Sequence, residues 1–268
     1  MAKVKHALLD TDFISKMYLI RNDNQNRLID KIISMPNYIF YCHKQILMEL
    51  NRHNVTETSV WLKDKISSKS IYIYDDEMIL NELKNIYGSI AIKMYLRMLK
   101  NACDAYKIDY FQENFINISQ INYLSINVNE FLKCLQKDCD EIGEGKNLGE
   151  LKSFILLQTL NQKFGSQLYV FCSDDKNARN GVINIGGARC ISVVSSFIRM
   201  KEEINLTKQE AKPYFEFYIH NCLINQTTFK VQDNSKEKKM IRVPCEQVFN
   251  EIYNGKIEEL KSGNLKYK

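Results

Sequence analysis

The chain of 268 residues can hold one large domain, or a domain of about 200 residues with an appendage. Hydrophobic residues make up 45% and charged residues 26%, the balance of an ordinary globular protein, and no apolar run reaches the ~18 residues a membrane span needs. The net charge of +5 permits a polyanionic partner without pointing to one. Eight cysteines without a Cys-x-x-Cys pair, with four scattered histidines, argue for reduced core thiols and against a zinc cluster or disulfide framework. The N-terminus leads almost directly into an apolar strand with no signal-peptide pattern, so the expected location is cytoplasmic.

Residues 4–9 read as a first strand that ends in Asp10-Thr11-Asp12. Phe13, Ile14, Met17 and Tyr18 then recur at helical spacing, and residues 27–33 predict a second short helix, ended near Pro36. Residues 38–42 form the second strand. The helix after it carries Ile46, Leu47 and Leu50 on its apolar side, and Glu49 among them. A helix over 60–66 precedes a third strand, 71–74. From 77 to 135, Met, Leu, Ile and Tyr at three- and four-residue spacing predict a helical insertion over the sheet, the stripe being core rather than a cofactor box. A glycine-rich loop, 143–149, opens a helix over 150–164 that Gly165 terminates, and 168–172 is the fourth strand. That strand stops at Ser173-Asp174-Asp175. Residues 189–194 predict a fifth strand and 195–204 a closing helix. Past 205 the character changes to a helix over 210–223 interrupted early by Pro213, a hairpin of 227–232 with 240–243, and a last helix over 246–260 after Pro244.

Strands alternating with helices predict a three-layer α/β/α sandwich with a mainly parallel, roughly five-stranded sheet over residues 1–204, followed by a small C-terminal α+β unit, 205–268. Ligands of such sheets sit beyond the carboxyl ends of the strands. There Asp10, Glu49, Glu150 and Asp174/Asp175 converge. Four carboxylates packed together repel and are driven towards protonation unless cations compensate, and Mg²⁺ or Mn²⁺ suits carboxylate and water oxygens. No Ser/His/Asp or Cys/His arrangement offers a nucleophile instead. Asp10 alone would read as a helix cap, Glu49 as a solvated helix residue and Glu150 as an acid favoured by a helix dipole; the order and context of the set favour a metal site. Asp138, Asp140, Glu141 and Glu144 read as a solvated acidic face, with a substitute third ligand as the lesser reading. His43 and His53 read as surface or helix-end residues, and Lys236, Lys238, Lys239 and Arg242 as a charged hairpin tip.

Leu8-Leu9-Asp10-Thr11-Asp12-Phe13-Ile14, Gln45-Ile46-Leu47-Met48-Glu49-Leu50, Asn147-Leu148-Gly149-Glu150-Leu151 and Phe171-Cys172-Ser173-Asp174-Asp175-Lys176-Asn177-Ala178-Arg179 together resemble the four motifs of PIN domains, metal-dependent nucleases related in fold to flap endonucleases. Asp12 stands where that family has Asn. The resemblance covers residues 1 to about 200 outside the insertion and implies an endoribonuclease, of the kind found among toxins and defence nucleases. It implies that Asp10, Glu49, Glu150 and Asp175 hold Mg²⁺ or Mn²⁺, with Asp174 or Asp12 as a further acid. Thr11 and Ser173 would steady the carboxylates or the scissile phosphate, and Lys176 and Arg179 would contact the RNA backbone. It leaves room for an antitoxin or other regulatory protein and for a homodimer, with no membrane partner. Two other readings stand beside it. One is a haloacid-dehalogenase-like phosphatase using Asp10 and Asp12, which Phe13 fits badly and which leaves Glu49 unexplained. The other is a non-catalytic scaffold of the same fold that binds RNA or protein.

Overall fold

The computed structural model describes residues 4–52, 55–107, 109–123, 125–143, 148–165, 168–172, 188–222, 225–232 and 238–261. Five strands, β1 (Lys5–Leu9), β2 (Tyr38–His43), β3 (Ile71–Tyr74), β4 (Leu168–Phe171) and β5 (Ala188–Ile191), form one parallel sheet in the order β3-β2-β1-β4-β5. These strands are apolar nearly throughout because both faces are covered. Ala7 and Leu9 of β1, with Tyr169 and Phe171 of β4, point into one core; Leu8, Leu168 and Val170 point into the other.

The first face is covered by α1 (Thr11–Leu19), α2 (Leu28–Ile33), α3 (Lys44–Arg52) and α4 (Thr56–Ser67), which bring Phe13, Met17, Ile29, Ile46, Leu50 and Leu62 to the core. The second carries α5 (Asp76–Tyr87), α6 (Ala91–Tyr106), the short α7 (Tyr110–Asn114) and α8 (Ile116–Ser119), α9 (Val128–Ile142) and α10 (Leu148–Phe164). The expected helical insertion is therefore the outer part of one complete layer. The chain returns to the first face with α11 (Val193–Ile204), α12 (Lys208–Cys222), the antiparallel hairpin β6 (Gln226–Gln232) and β7 (Lys238–Pro244), α13 (Cys245–Asn254) and α14 (Ile257–Lys261). Sheet and helices form the three-layer sandwich that the alternating pattern predicts. No described helix is long and apolar enough to cross a membrane.

Residues past 205 share this core rather than building their own. Tyr214 and Tyr218 of α12 and Val248 and Ile252 of α13 join the first-face cluster, where the Phe215 and Phe249 rings stack at 4.2 Å and Phe197 of α11 meets Phe249 edge-on at 5.4 Å. Three boundaries differ from the sequence expectation. The fifth strand stops at Ile191 because Ser192 caps α11 by accepting from the Ser195 N–H, which turns Val193 and Val194 from strand into helix. The last helix breaks at Gly255, whose φ of +78° ends α13 in a left-handed turn. Pro213 lies inside an unbroken α12, started by a reciprocal cap between Thr207 and Glu210.

Two polar readings are also corrected. His43 is 3% exposed where β2 ends and α3 begins, so the surface reading falls and the helix-end one holds. Asp138 is fully buried in α9, where it accepts hydrogen bonds from the Asn117 N–H, the Asn117 amide and the Ile118 N–H and so ties α8 to α9. Its neighbours Asp140 and Glu141 are exposed, as a solvated face requires.

Candidate functional site

The strand order places a switch point at β1. From there the chain winds outwards through β2 to β3, then crosses back so that β4 pairs with the other side of β1. The carboxyl ends of β1 and β4 are therefore the usual ligand position in such sheets. Asp10 is the first residue beyond β1, and its N–H donates to the Phe171 carbonyl at the end of β4, 3.0 Å away. Asp10 also precedes α1, yet its side chain makes no capping hydrogen bond, so helix capping does not account for it.

Asp10 is buried, at 8% exposure. Burial, then the negative charges of Glu150, Asp12 and Glu49, push its carboxyl up to about 7, and the Thr11 backbone N–H offsets only part of the rise. The charges that bear most on it among the described residues are all negative.

Glu49 is held from two sides. Thr11 Oγ1 donates to Glu49 Oε2 at 2.9 Å, and the Gly149 N–H donates to Oε1 at 2.8 Å. The carboxylate thus clasps the start of α1 to the start of α10. A side chain at 149 would collide with it, since a Cβ there would lie 2.4 Å from Oε2. The glycine of the Leu148-Gly149-Glu150 motif is therefore a consequence of this close approach. Glu150 follows at once, exposed at the N-terminal turn of α10 and near enough to raise Asp10. Asp12 also raises Asp10, but its carboxylate pairs with Lys16 at 2.6 Å along α1.

The structure thus brings Asp10, Thr11, Asp12, Glu49 and Glu150 to one place on the rim. Ser173, Asp174, Asp175, Lys176 and Arg179 lie outside the described residues, as do His53, Glu144, Asn147 and Lys236. Among the described residues no three His, Cys, Asp or Glu side chains are arranged to hold a metal ion. The chemistry of the donor set nevertheless suits a divalent cation, because Asp10 sits desolvated beside the acids Glu150, Asp12 and Glu49.

Next to these acids lies a polar network that sequence reasoning missed. Asp76, the first residue of α5, accepts from Tyr95 Oη of α6 and from Lys152 Nζ of α10, the latter at 2.8 Å; Lys152 also donates to Tyr95 Oη at 3.2 Å. His43 Nδ1 accepts the Gln45 N–H at 3.1 Å, which leaves the proton on Nε2, 3.5 Å from Asp76 Oδ1. Burial alone would raise Asp76, but Lys152 and His43 hold its carboxyl well below the usual carboxylate range. Burial opposes the Lys152 charge, and Asp76 and Cys139 more than offset it. Burial and then Asp76 push the Tyr95 phenol well above its ordinary value. Two sequence signals were available. Tyr74-Asp75-Asp76 ends a strand in two acids just as Asp10 and Asp174 do, and Lys152 stands between Leu151 and the apolar run 154–157 of its helix.

Of the described cysteines, Cys42, Cys103, Cys172 and Cys245 are buried, and Cys134, Cys139 and Cys190 partly so. Compared with known proteins, the chain matches no family model, no curated protein and no solved structure.

Proposed function

We propose that the chain is a metal-dependent endoribonuclease of the PIN type, cutting phosphodiester bonds at the crevice between β1 and β4. One observation carries the reading: a buried acid at the switch point, driven up to about 7 by burial and three acidic neighbours. Asp10, Glu49 and Glu150, with Asp174 and Asp175 by sequence, would hold Mg²⁺ or Mn²⁺. Such an ion lowers the pKa of a water, aligns it with the phosphate and neutralises charge in the transition state. In this reading Thr11 and Gly149 aim the Glu49 carboxylate, Glu150 takes its position from the start of α10, and the covered faces of the sheet keep Asp10 dry. The engagement of Asp12 by Lys16 favours this reading over the phosphatase, whose general acid would be Asp12.

The test is digestion of total RNA with Mn²⁺, mapped by sequencing of the new ends, for the wild type against Asp10→Asn. Discrete new ends in the wild type alone are expected. Identical profiles for the two proteins would reject the site. Hydrolysis of p-nitrophenyl phosphate without RNA cutting would move the reading to the phosphatase, and metal-independent RNA binding without cutting would move it to the scaffold.

A further inference from the structure

Where β2 and β3 end, the starts of α3 and α5 border a cavity of about 350 Å³, the size that takes a small ligand. One buried donor in it is unspent. His43 Nδ1 accepts the Gln45 N–H, which leaves the proton on Nε2. Among the described residues that N–H has no hydrogen-bond partner. It faces Asp76 Oδ1 at 3.5 Å, an oxygen that takes one bond from Tyr95 and keeps a second lone pair. Lys44 and Asp75 repeat the pattern one residue along, with Nζ standing 3.9 Å from Oδ2. All four side chains line the one cavity. Both gaps exceed the usual hydrogen-bond length and each fits one inserted oxygen. That oxygen has to accept from nitrogen and donate to a carboxylate. A hydroxyl does both.

The charges decide against an ionic ligand. Lys152 is spent on Asp76 at 2.8 Å, on Tyr95 and on Cys139, and Lys44 faces Asp75. The remaining carboxylate, Glu77, is exposed. An anion entering here meets carboxylates, and a cation competes with lysines already beside them. The two amides of the lining add neutral groups of both kinds. Gln45 is buried, and Gln136 gives one N–H to Asp140 at 2.8 Å while keeping its other N–H and its carbonyl. Met48 and Leu132 supply the small apolar surface that suits the C–H face of a sugar.

We propose that this cavity binds a neutral polyol, a free sugar or the ribose of a nucleoside, through hydroxyls that bridge His43 to Asp76 and Lys44 to Asp75. It needs neither a metal ion nor the nuclease reading. The test is calorimetric titration of the metal-free full chain with ribose, glucose, adenosine and the dideoxy analogue of adenosine that lacks both ring hydroxyls. Saturable binding of at least one sugar or of adenosine is expected. Binding of the sugars alone assigns the site to free sugars. Adenosine bound at least about fivefold more tightly than its dideoxy analogue, the scale of one neutral hydrogen bond, assigns it to ribosides. Lys44→Met and Asp75→Asn each remove one end of a bridge without threatening the fold, because Lys44 is exposed and asparagine caps α5 as aspartate does. Each weakens binding about fivefold. The proposal is overturned if no probe binds, if the dideoxy analogue matches adenosine while both sugars are inert, or if neither substitution changes the affinity.

Discussion

Replacing Gly149 with alanine separates what the Glu49 clasp does for stability from what it does for the site. Inside a helix, alanine in place of glycine stabilises by about 1 kcal/mol. At 149 the new Cβ would stand 2.4 Å from Glu49 Oε2 and 2.5 Å from Oε1, far inside van der Waals contact. The obstructing atoms end a flexible side chain, so Glu49 moves and the two helices stay. Its carboxylate then leaves both the Gly149 N–H and Thr11 Oγ1. Hydrogen bonds to a charged group contribute about 1.5–3 kcal/mol each; for a half-buried acid we discount the pair to about 1–3 kcal/mol in total. Against the gain in helix propensity the net loss is about 0–2 kcal/mol, or no more than about 8 °C in Tm for a chain of this size. Catalysis responds more steeply, because a misplacement of about 1 Å in a catalytic group costs on the order of 100-fold. Gly149→Ala should therefore melt close to the wild type, lose about 100-fold in Mn²⁺-dependent kcat/KM and bind Mn²⁺ more weakly by calorimetry. Glu49→Asp, one methylene shorter, should recover part of that loss in the Gly149→Ala background and not in the wild type. A Gly149→Ala protein with a raised Tm and undiminished cleavage would refute the reasoning.

Two further outcomes follow from the charges on the rim. The folded Asp10 titrates near about 7 against an ordinary 3.8, so the folded state holds a proton that the unfolded chain releases. Asp10's contribution to metal-free stability is then largest below about pH 4 and is lost as pH rises through about 7, by roughly 4 kcal/mol at about 1.4 kcal/mol per pH unit. Urea unfolding with EDTA between pH 5 and 8 should show about 3 kcal/mol of that decline in the wild type and a much flatter profile in Asp10→Asn; parallel profiles would contradict it. Lys152→Met leaves the Asp76 carboxylate buried without its cation, which costs about 3–5 kcal/mol, and adding Asp76→Asn should restore part of it. A loss below about 1 kcal/mol in urea unfolding would show that the pair is not coupled in this way.

The layer order was legible from residue pattern alone, since fully buried parallel strands such as Tyr38–His43 and Leu168–Phe171 are apolar runs bounded by polar residues, and helices alternate with them. The convergence of Asp10, Glu49 and Glu150 was legible too, because each stands a fixed few residues from a strand or helix end. Partnerships were not. Nothing in the spacing says that Glu49 spends its oxygens on Thr11 and Gly149, because that depends on how closely α3 and α10 approach. Asp138 looked solvated because its neighbours Asp140 and Glu141 are, yet one turn of α9 aims it at α8. His43 looked like a surface residue for the same local reason, although it extends β2 by one buried position. The valines at 193 and 194 suit a strand by propensity, and one serine hydroxyl before them decides otherwise.

Acidic residues end β1 and β3 alike, and what surrounds them assigns the two ends different work. Asp76 after β3 meets Lys152, Tyr95 and His43, so its charge is spent inside the fold and its proton is lost far below neutral pH. Asp10 after β1 meets, among the described residues, Asp12, Glu49 and Glu150, so its proton lingers near neutrality. An acid that the fold itself compensates is structural, and replacing its cation should destabilise the chain. An acid set among other acids lowers stability, and on the nuclease proposal replacing Asp10 should strengthen the metal-free protein while abolishing RNA cleavage. Opposite signs of stability change for Lys152→Met and Asp10→Asn, measured under one metal-free condition at pH 8, are therefore what distinguishes a site from a scaffold along this single edge of the sheet.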